Sequence, residues 1–173
     1  MRFAADCYRA HDPRWAFRPL SGDGAAQQGG RFNQRGMPAL YLSLSLETAL
    51  QEAAQAFPLK LEPLTICTYE VDCDNILDLR SEEDRKSLRI PHSALSCDWM
   101  RERDGGGLPA SWEVASRLFD EGAAGILVPS FARGAKIGAA NLVLWRWGPD
   151  LPHSVSVHDP SGRLPADQLS WTR

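Results

Sequence analysis

Four polar side chains in this sequence have the types and settings that chemistry requires: Arg31, Tyr41, Glu52 and Ser130. Arg31 follows two glycines, which allow the backbone to pass close to a ligand or to adopt a positive φ. A guanidinium beside such a loop can bind two oxygens of a phosphate or diphosphate at once. An exposed arginine paired with a nearby carboxylate is the alternative interpretation.

The other three side chains each allow a structural and a functional interpretation. Tyr41 lies in a predicted strand, either as a core residue or with its ring facing a cleft, where it would stack on a planar ligand. Glu52 lies at the margin of the apolar face of a predicted helix, either solvated or partly buried beside a partner. Ser130 follows a proline at a strand end, where serine often only forms a turn. It is not in a G-x-S-x-G motif, which argues against a hydrolase nucleophile.

A short strand followed directly by a helix must position Tyr41 and Glu52. Residues 39–43 (ALYLS) come after a break at Met37-Pro38 and predict the strand. The helix is predicted over 46–57, with Ser45 as its cap and Pro58 as its stop. Apolar residues spaced as one side of this helix are Leu46, Ala49, Leu50, Ala53, Ala54 and Phe57.

The rest of the chain mixes strands and helices without regular alternation, which favours an α+β fold over a doubly wound sheet. Further strands are predicted over 64–72, 125–130, 141–147 and 153–159. A further helix is predicted over 111–121, with Ser111 as its cap and Gly122 near its end. Residues 80–110 predict a helix followed by a loop. Residues 21–30 predict a loop that matches neither the dinucleotide-binding nor the Walker motif.

Composition narrows the class of protein. The chain has 173 residues, 43% of them hydrophobic and 24% charged, which predicts one ordered globular domain. A formal net charge of -3 argues against nucleic acid as the main ligand. The sequence has no long apolar run and no signal-peptide pattern, so neither a membrane span nor secretion is predicted. The four cysteines and four histidines fit no metal-binding spacing, and we expect free thiols in a reducing cytoplasm.

The sequence resembles the RES domain family, which is named for an arginine, a glutamate and a serine. The residues that carry the resemblance are Arg31 in GGRFN, Glu52 in the helix after PALYLS and Ser130 in GILVPS. YRA at 8–10 resembles the family's opening strand, SWEVASRLFDEGAAGILVPS at 111–130 its late helix and strand, and NLVLW at 141–145 the strand that follows. Phe32 stands where tryptophan is common in the family and keeps an aromatic side chain there. The resemblance predicts a single RES domain over 1–173, with a core over about 7–148 and a C-terminal strand and tail over 149–173.

The resemblance implies an α+β fold like that of ADP-ribosyltransferases and a cleft for NAD+, which is the substrate, with no metal. It implies cleavage of the nicotinamide–ribose bond and transfer of ADP-ribose to a protein, with phosphate or water as the alternative acceptors. Arg31 would hold the diphosphate, Tyr41 would bound the nicotinamide, and Glu52 would face the ribose. Ser130 would bond near the ribose or the nicotinamide amide. Arg9 and Asn141 are further NAD+-binding candidates from their positions in the matched segments.

Partners also follow from the resemblance. RES proteins are toxins of bacterial toxin–antitoxin pairs, and an Xre-like helix-turn-helix antitoxin covers the cleft. This implies a cytoplasmic toxin that acts on NAD+ and that leaves contact with DNA to its partner. A non-catalytic partner-binding module is the competing hypothesis, and the joint presence of Arg31, Glu52 and Ser130 argues against it.

Overall fold

The computed structural model describes residues 1–54 and 62–169, and within them seven strands form one mixed sheet in the order β4-β5-β6-β2-β1-β3-β7. The strands are β1 (Phe3–His11), β2 (Leu40–Ser43), β3 (Thr65–Cys73), β4 (Ile76–Asp78), β5 (Gly125–Pro129), β6 (Ala140–Leu144) and β7 (His153–Val157). The pairing is antiparallel except between β4 and β5, which are parallel. The predicted α+β class is confirmed.

Six α-helices accompany the sheet in the described part of the chain, together with a 3-10 helix over Pro13–Trp15. The helices are α1 (Asp23–Gln28), α2 (Leu46–Ala54), α3 (Glu82–Ser87), α4 (His92–Leu95), α5 (Trp99–Asp104) and α6 (Ala110–Asp120). The long segment between β4 and β5 carries the last four of them. These helices supply much of the apolar cluster that covers one face of the sheet.

Strand alternation separates the two faces of the sheet. Leu40 and Leu42 of β2 are buried in one apolar cluster with Tyr69 of β3. Tyr41 points the other way and packs against the second cluster, which holds Val143 of β6 and Leu118 of α6. Since side chains alternate along a strand, the polar residues at alternate positions of β2 and β6 share that second face. The functional residues of these two strands are therefore presented on the same side of the sheet.

Helix α2 begins as the sequence predicts. The backbone N–H of Thr48 donates to Ser45 Oγ at 3.1 Å, which confirms Ser45 as the cap. Leu46, however, is 46% exposed and does not belong to the buried face. The predicted end of the helix, with Phe57 and Pro58, lies outside the described residues.

Three predictions of local structure were wrong. The segment 21–30 contains helix α1, because Ala25, Ala26 and two glutamines are good helix formers; Gly29, at φ 77°, ends it. Helix α6 begins at Ala110 after Pro109, so Ser111 lies inside the first turn, fully buried, and is not the cap. Residues 80–110 form three short helices rather than one.

Strand β4 had no clear signal in the sequence. It has three residues and pairs in parallel with β5 at the edge of the sheet. So short a strand is fixed by its neighbour rather than by its own periodicity.

Candidate active site

A cavity of about 570 Å³ opens between helix α1, the loop that follows it, the β2–β6 pair and helix α5. Arg31, Tyr41, Glu52 and Asn141 all line it, so the fold brings four of the predicted site residues to one place. The aromatic ring of Trp99 contributes to another wall. The volume lies in the range that small-molecule and cofactor sites usually occupy, about 300–1,000 Å³.

Glu52 is held at the wall of this cavity by two side chains from the other end of the sequence. Ser130 Oγ donates to Glu52 Oε1 at 2.6 Å, and Asn141 Nδ2 donates to the same oxygen at 2.5 Å. Hydrogen bonds to a carboxylate are short and strong, so these two fix the position of the side chain. Ser130 therefore contributes to the site through Glu52.

A third polar side chain orients Asn141. Ser43 and Asn141 are directly opposite each other in the antiparallel pair of β2 and β6. Ser43 Oγ donates to Asn141 Oδ1 at 2.8 Å, which leaves the amide N–H₂ pointing at Glu52. Ser43 is only 4% exposed. Ser43 was not predicted from the sequence, although its position two residues after Tyr41, on the same face of β2, could have indicated it.

Arg31 is half-buried beside the cavity and is held by backbone carbonyls. Its Nη1 donates to the carbonyl of Cys97 at 2.6 Å and to that of Leu95 at 3.3 Å. The guanidinium also lies 4.8 Å from the ring centre of Phe131. Burial lowers the pKa of Arg31 from its ordinary value, but an arginine remains charged at any physiological pH.

These contacts favour the ligand-binding interpretation of Arg31 over the surface ion pair. Within residues 1–54 and 62–169, Arg31 forms no ion pair with a carboxylate, although the charges of Glu52 and Asp98 act on it, and its hydrogen bonds use Nη1 alone. The Nε and Nη2 donors therefore remain for a ligand in the cavity. Together they form the planar side of the guanidinium that matches two oxygens of a phosphate.

The hydroxyl of Tyr41 forms two hydrogen bonds to the loop that carries Arg31. It donates to Asn33 Oδ1 at 2.7 Å and accepts from the backbone N–H of Phe32 at 2.9 Å. Burial raises the pKa of Tyr41, so the hydroxyl stays protonated. A Cβ on Gly30 would lie 2.5 Å from the Tyr41 hydroxyl, and therefore only glycine fits here.

Buried polar side chains anchor this loop from three further directions. Trp112 Nε1 donates to the carbonyl of Gly30 at 2.6 Å, and Trp145 Nε1 donates to the carbonyl of Phe32 at 2.9 Å. Asn33, fully buried, donates to the carbonyl of Ala25 at 2.8 Å. None of these three anchors was predicted from the sequence, although Asn33 belongs to the GGRFN motif.

Arg9 lies apart from the main cavity. Its Nη1 donates to the carbonyls of Pro19 and Ser21 at 3.2 and 3.4 Å. It lines a neighbouring cavity of about 180 Å³, which Glu52 and Asn141 also line. The predicted site residues thus divide into a central group and one arginine beside it.

Three observations bear on the class of site. In the described part of the chain, no group of three or more histidine, cysteine or acidic residues could hold a metal ion. All four cysteines are free thiols. Over residues 1–54 and 62–169, none of the helices is long and apolar enough to cross a membrane.

Comparison with known proteins gives a family and a relative of similar fold. The family model of the RES domain matches residues 6–167. No curated protein matches this sequence. The chain is similar in structure to one in the crystal structure of the M. tuberculosis MbcT–MbcA toxin–antitoxin complex, with a TM-score of 0.60, 24% sequence identity, and coverage of 92% of this chain and 84% of that chain. This similarity shows that the chain shares the fold of that protein, in agreement with the predicted α+β class.

Proposed function

Because this chain belongs to the RES domain family, we propose that it is the toxin of a bacterial toxin–antitoxin pair and that it cleaves NAD+ between nicotinamide and ribose. The observation that carries the proposal is the Glu52 carboxylate, held by Ser130 and Asn141 at a cavity wall. Arg31 and Tyr41 line the same cavity. An anion-binding arginine and a fixed carboxylate in one cavity suit a substrate with a diphosphate and a developing positive charge.

The reaction requires charge stabilisation more than it requires proton transfer. When the carbon–nitrogen bond breaks, its electron pair leaves with nicotinamide, which becomes neutral, and the ribose carbon gains oxocarbenium character. A carboxylate already fixed near that carbon stabilises the developing charge without reorganising. A lone pair of the acceptor then forms the new bond, and the proton of the acceptor goes to solvent.

Each central residue has a distinct role in this proposal. Arg31 binds the diphosphate through its Nε and Nη2 donors, while Nη1 stays on the carbonyls of Cys97 and Leu95. The ring of Tyr41 bounds the nicotinamide, since its hydroxyl is already occupied by Phe32 and Asn33. Glu52 faces the ribose.

We assign the acceptor as a protein side chain, which makes the enzyme an ADP-ribosyltransferase. Phosphate or water would react at the same ribose carbon with the same residues in place and would make it an NAD+ phosphorylase or glycohydrolase. Nicotinamide release should therefore be measured with and without inorganic phosphate, alongside labelled NAD+ in cell lysate. A labelled protein band supports transfer; phosphate-dependent release of ADP-ribose-1-phosphate identifies a phosphorylase; release in buffer alone identifies a glycohydrolase.

The test of the active site uses two glutamates of the same helix. In Glu52→Gln the side chain can still accept from Ser130 and Asn141 but has lost its charge, so we expect nicotinamide release to fall by about 10²-fold or more. The control is Glu47→Gln, which removes an exposed ion pair with Lys136 worth at most about 1 kcal/mol. Full activity of the Glu52 variant, or equal losses in both variants, would refute the assignment.

The proposed partner is an antitoxin with an Xre-like helix-turn-helix that covers the cavity. It is supported by the relative of similar fold, whose structure is that of a toxin–antitoxin complex. Met100, which lines the cavity and is 53% exposed, offers an apolar contact at its mouth. Expression in the bacterial cytoplasm should arrest growth, co-expression of the antitoxin should restore it, and Glu52→Gln should not arrest growth.

A further inference from the structure

A second, smaller cavity also borders helix α1. It measures about 210 Å³, and Arg9, His11, Trp15, Arg18, Asp23 and Gly24 contribute to its walls. We call it the Trp15 cavity. It is smaller than most sites that hold a whole drug-sized ligand, so it fits one half of a dinucleotide rather than all of it.

The Trp15 cavity adjoins the candidate active site along two walls. Arg9 lines both the Trp15 cavity and the cavity that Glu52 and Asn141 share. Gly24 lines both the Trp15 cavity and the main cavity. A Cβ at Gly24 would meet nothing within 4 Å, so the space at this wall is open. Through Arg9 the Trp15 cavity therefore neighbours the space beside Glu52.

The charges around this cavity suit an anion. Arg9 is partly buried, and its two hydrogen bonds to carbonyls are long, at 3.2 and 3.4 Å. Arg18 pairs with Asp23 at 3.0 Å, but both side chains are more than half exposed, so the pair is weak. Burial and the charge of Arg9 lower the pKa of His11 to about 4, so this histidine is neutral at pH 7. One net positive charge remains.

The indole of Trp15 supplies a flat, exposed surface. Trp15 is 56% exposed although it lines the cavity. Its ring stacks on Phe17 with centres 6.4 Å apart. The 3-10 helix that carries it is capped by Asp12, whose side chain accepts from the N–H of Arg14 at 2.9 Å. An exposed indole beside an arginine is the combination that binds a nucleobase and its phosphate.

We propose that the Trp15 cavity binds the adenylate half of the dinucleotide substrate, with adenine on the indole of Trp15 and the adjacent phosphate beside Arg9. This inference rests on the proposed function for its substrate. It gives Arg9 the adenylate phosphate of the same diphosphate that Arg31 binds. It also explains why Arg9, which was predicted to bind NAD+, lies outside the main cavity.

The test compares Trp15→Ala with Trp15→Phe. Titration calorimetry with AMP and with ADP-ribose should give affinities about tenfold weaker for the alanine variant and near those of the wild type for the phenylalanine variant, which keeps a flat ring. In the nicotinamide-release assay the alanine variant should raise KM for NAD+ and leave kcat unchanged. Cleavage of nicotinamide mononucleotide, which has no adenylate, should not change.

The outcomes separate this inference from the proposed function. Wild-type affinity of the alanine variant for AMP and ADP-ribose would overturn the inference, even if NAD+ is cleaved. Trp15-dependent binding of both probes by a protein that releases no nicotinamide would support the adenylate site and refute the proposed function. Thermal melting of both variants checks that they are folded, and Trp15 is exposed enough for substitution to be tolerated.

Discussion

Adding one methyl group at Gly30 should disable the loop that carries Arg31. A Cβ at this position would lie 2.5 Å from the Tyr41 hydroxyl and 2.6 Å from Asn33 Oδ1. Ordinary contacts of a Cβ begin near 3.4 Å, so the loop or both side chains must move by roughly 0.9 Å. The atoms that must move are those of the 2.7 Å hydrogen bond between Tyr41 and Asn33.

The energetic cost follows from the bonds that this movement breaks. Loss of the Tyr41–Asn33 bond and of the Phe32–Tyr41 bond costs about 1 kcal/mol each, and more where a buried group is left without a partner. We therefore expect Gly30→Ala to reduce the free energy of unfolding by about 2–4 kcal/mol. For a chain of this length that lowers Tm by about 4–16 °C. A displacement of about 1 Å at the neighbouring Arg31 should also reduce kcat/KM by about 10²-fold.

Calorimetric melting and the nicotinamide-release assay measure the two effects. The matched control is Gly148→Ala, because this residue lines none of the cavities described above and its added Cβ meets nothing within 4 Å. Alanine there should leave both the activity and Tm unchanged. An unchanged Tm in Gly30→Ala, or equal behaviour of the two variants, would show that the loop is not packed as described.

Three further predictions concern other parts of the site. Ser43→Ala removes the hydrogen bond that orients Asn141 and should lower kcat for nicotinamide release by about tenfold with little change in KM. Ser43→Thr keeps the hydroxyl and should retain most activity. Equal rates of the alanine variant and the wild type would contradict the orienting role. Arg31→Lys keeps the charge but loses the planar pair of donors, so KM for NAD+ should rise about tenfold; an unchanged KM would exclude the diphosphate role. Burial lowers the pKa of His11 to about 4, whereas its ordinary value is near 6.5, so between these values the unfolded chain binds a proton that the folded chain does not. The free energy of unfolding should therefore fall as the pH is lowered from 6.5 to 4. In His11→Gln, the urea concentration at the unfolding midpoint should depend less on pH over that window.

Local pattern was enough to predict several elements of the fold. The short strand around LYLS and the cap at Ser45 each depend on neighbours within a few residues, and both appear as predicted. Helix α1 was missed because its glycines suggested a loop, whereas the alanines and glutamines between them favour a helix. Strand β4 was missed because its pairing with β5 is non-local.

By itself, the sequence determined the types of side chain in the candidate site and the strand and helix that carry Tyr41 and Glu52. Only the tertiary structure decided that Asn141 and Ser130 share one oxygen of Glu52, that Ser43 orients Asn141, and that Arg9 lies in a separate cavity. The physical reason is that these contacts join residues up to 98 positions apart. Local propensity carries no information on contacts between residues so far apart in sequence. These contacts are set by strand register and by the packing of α2 against the sheet.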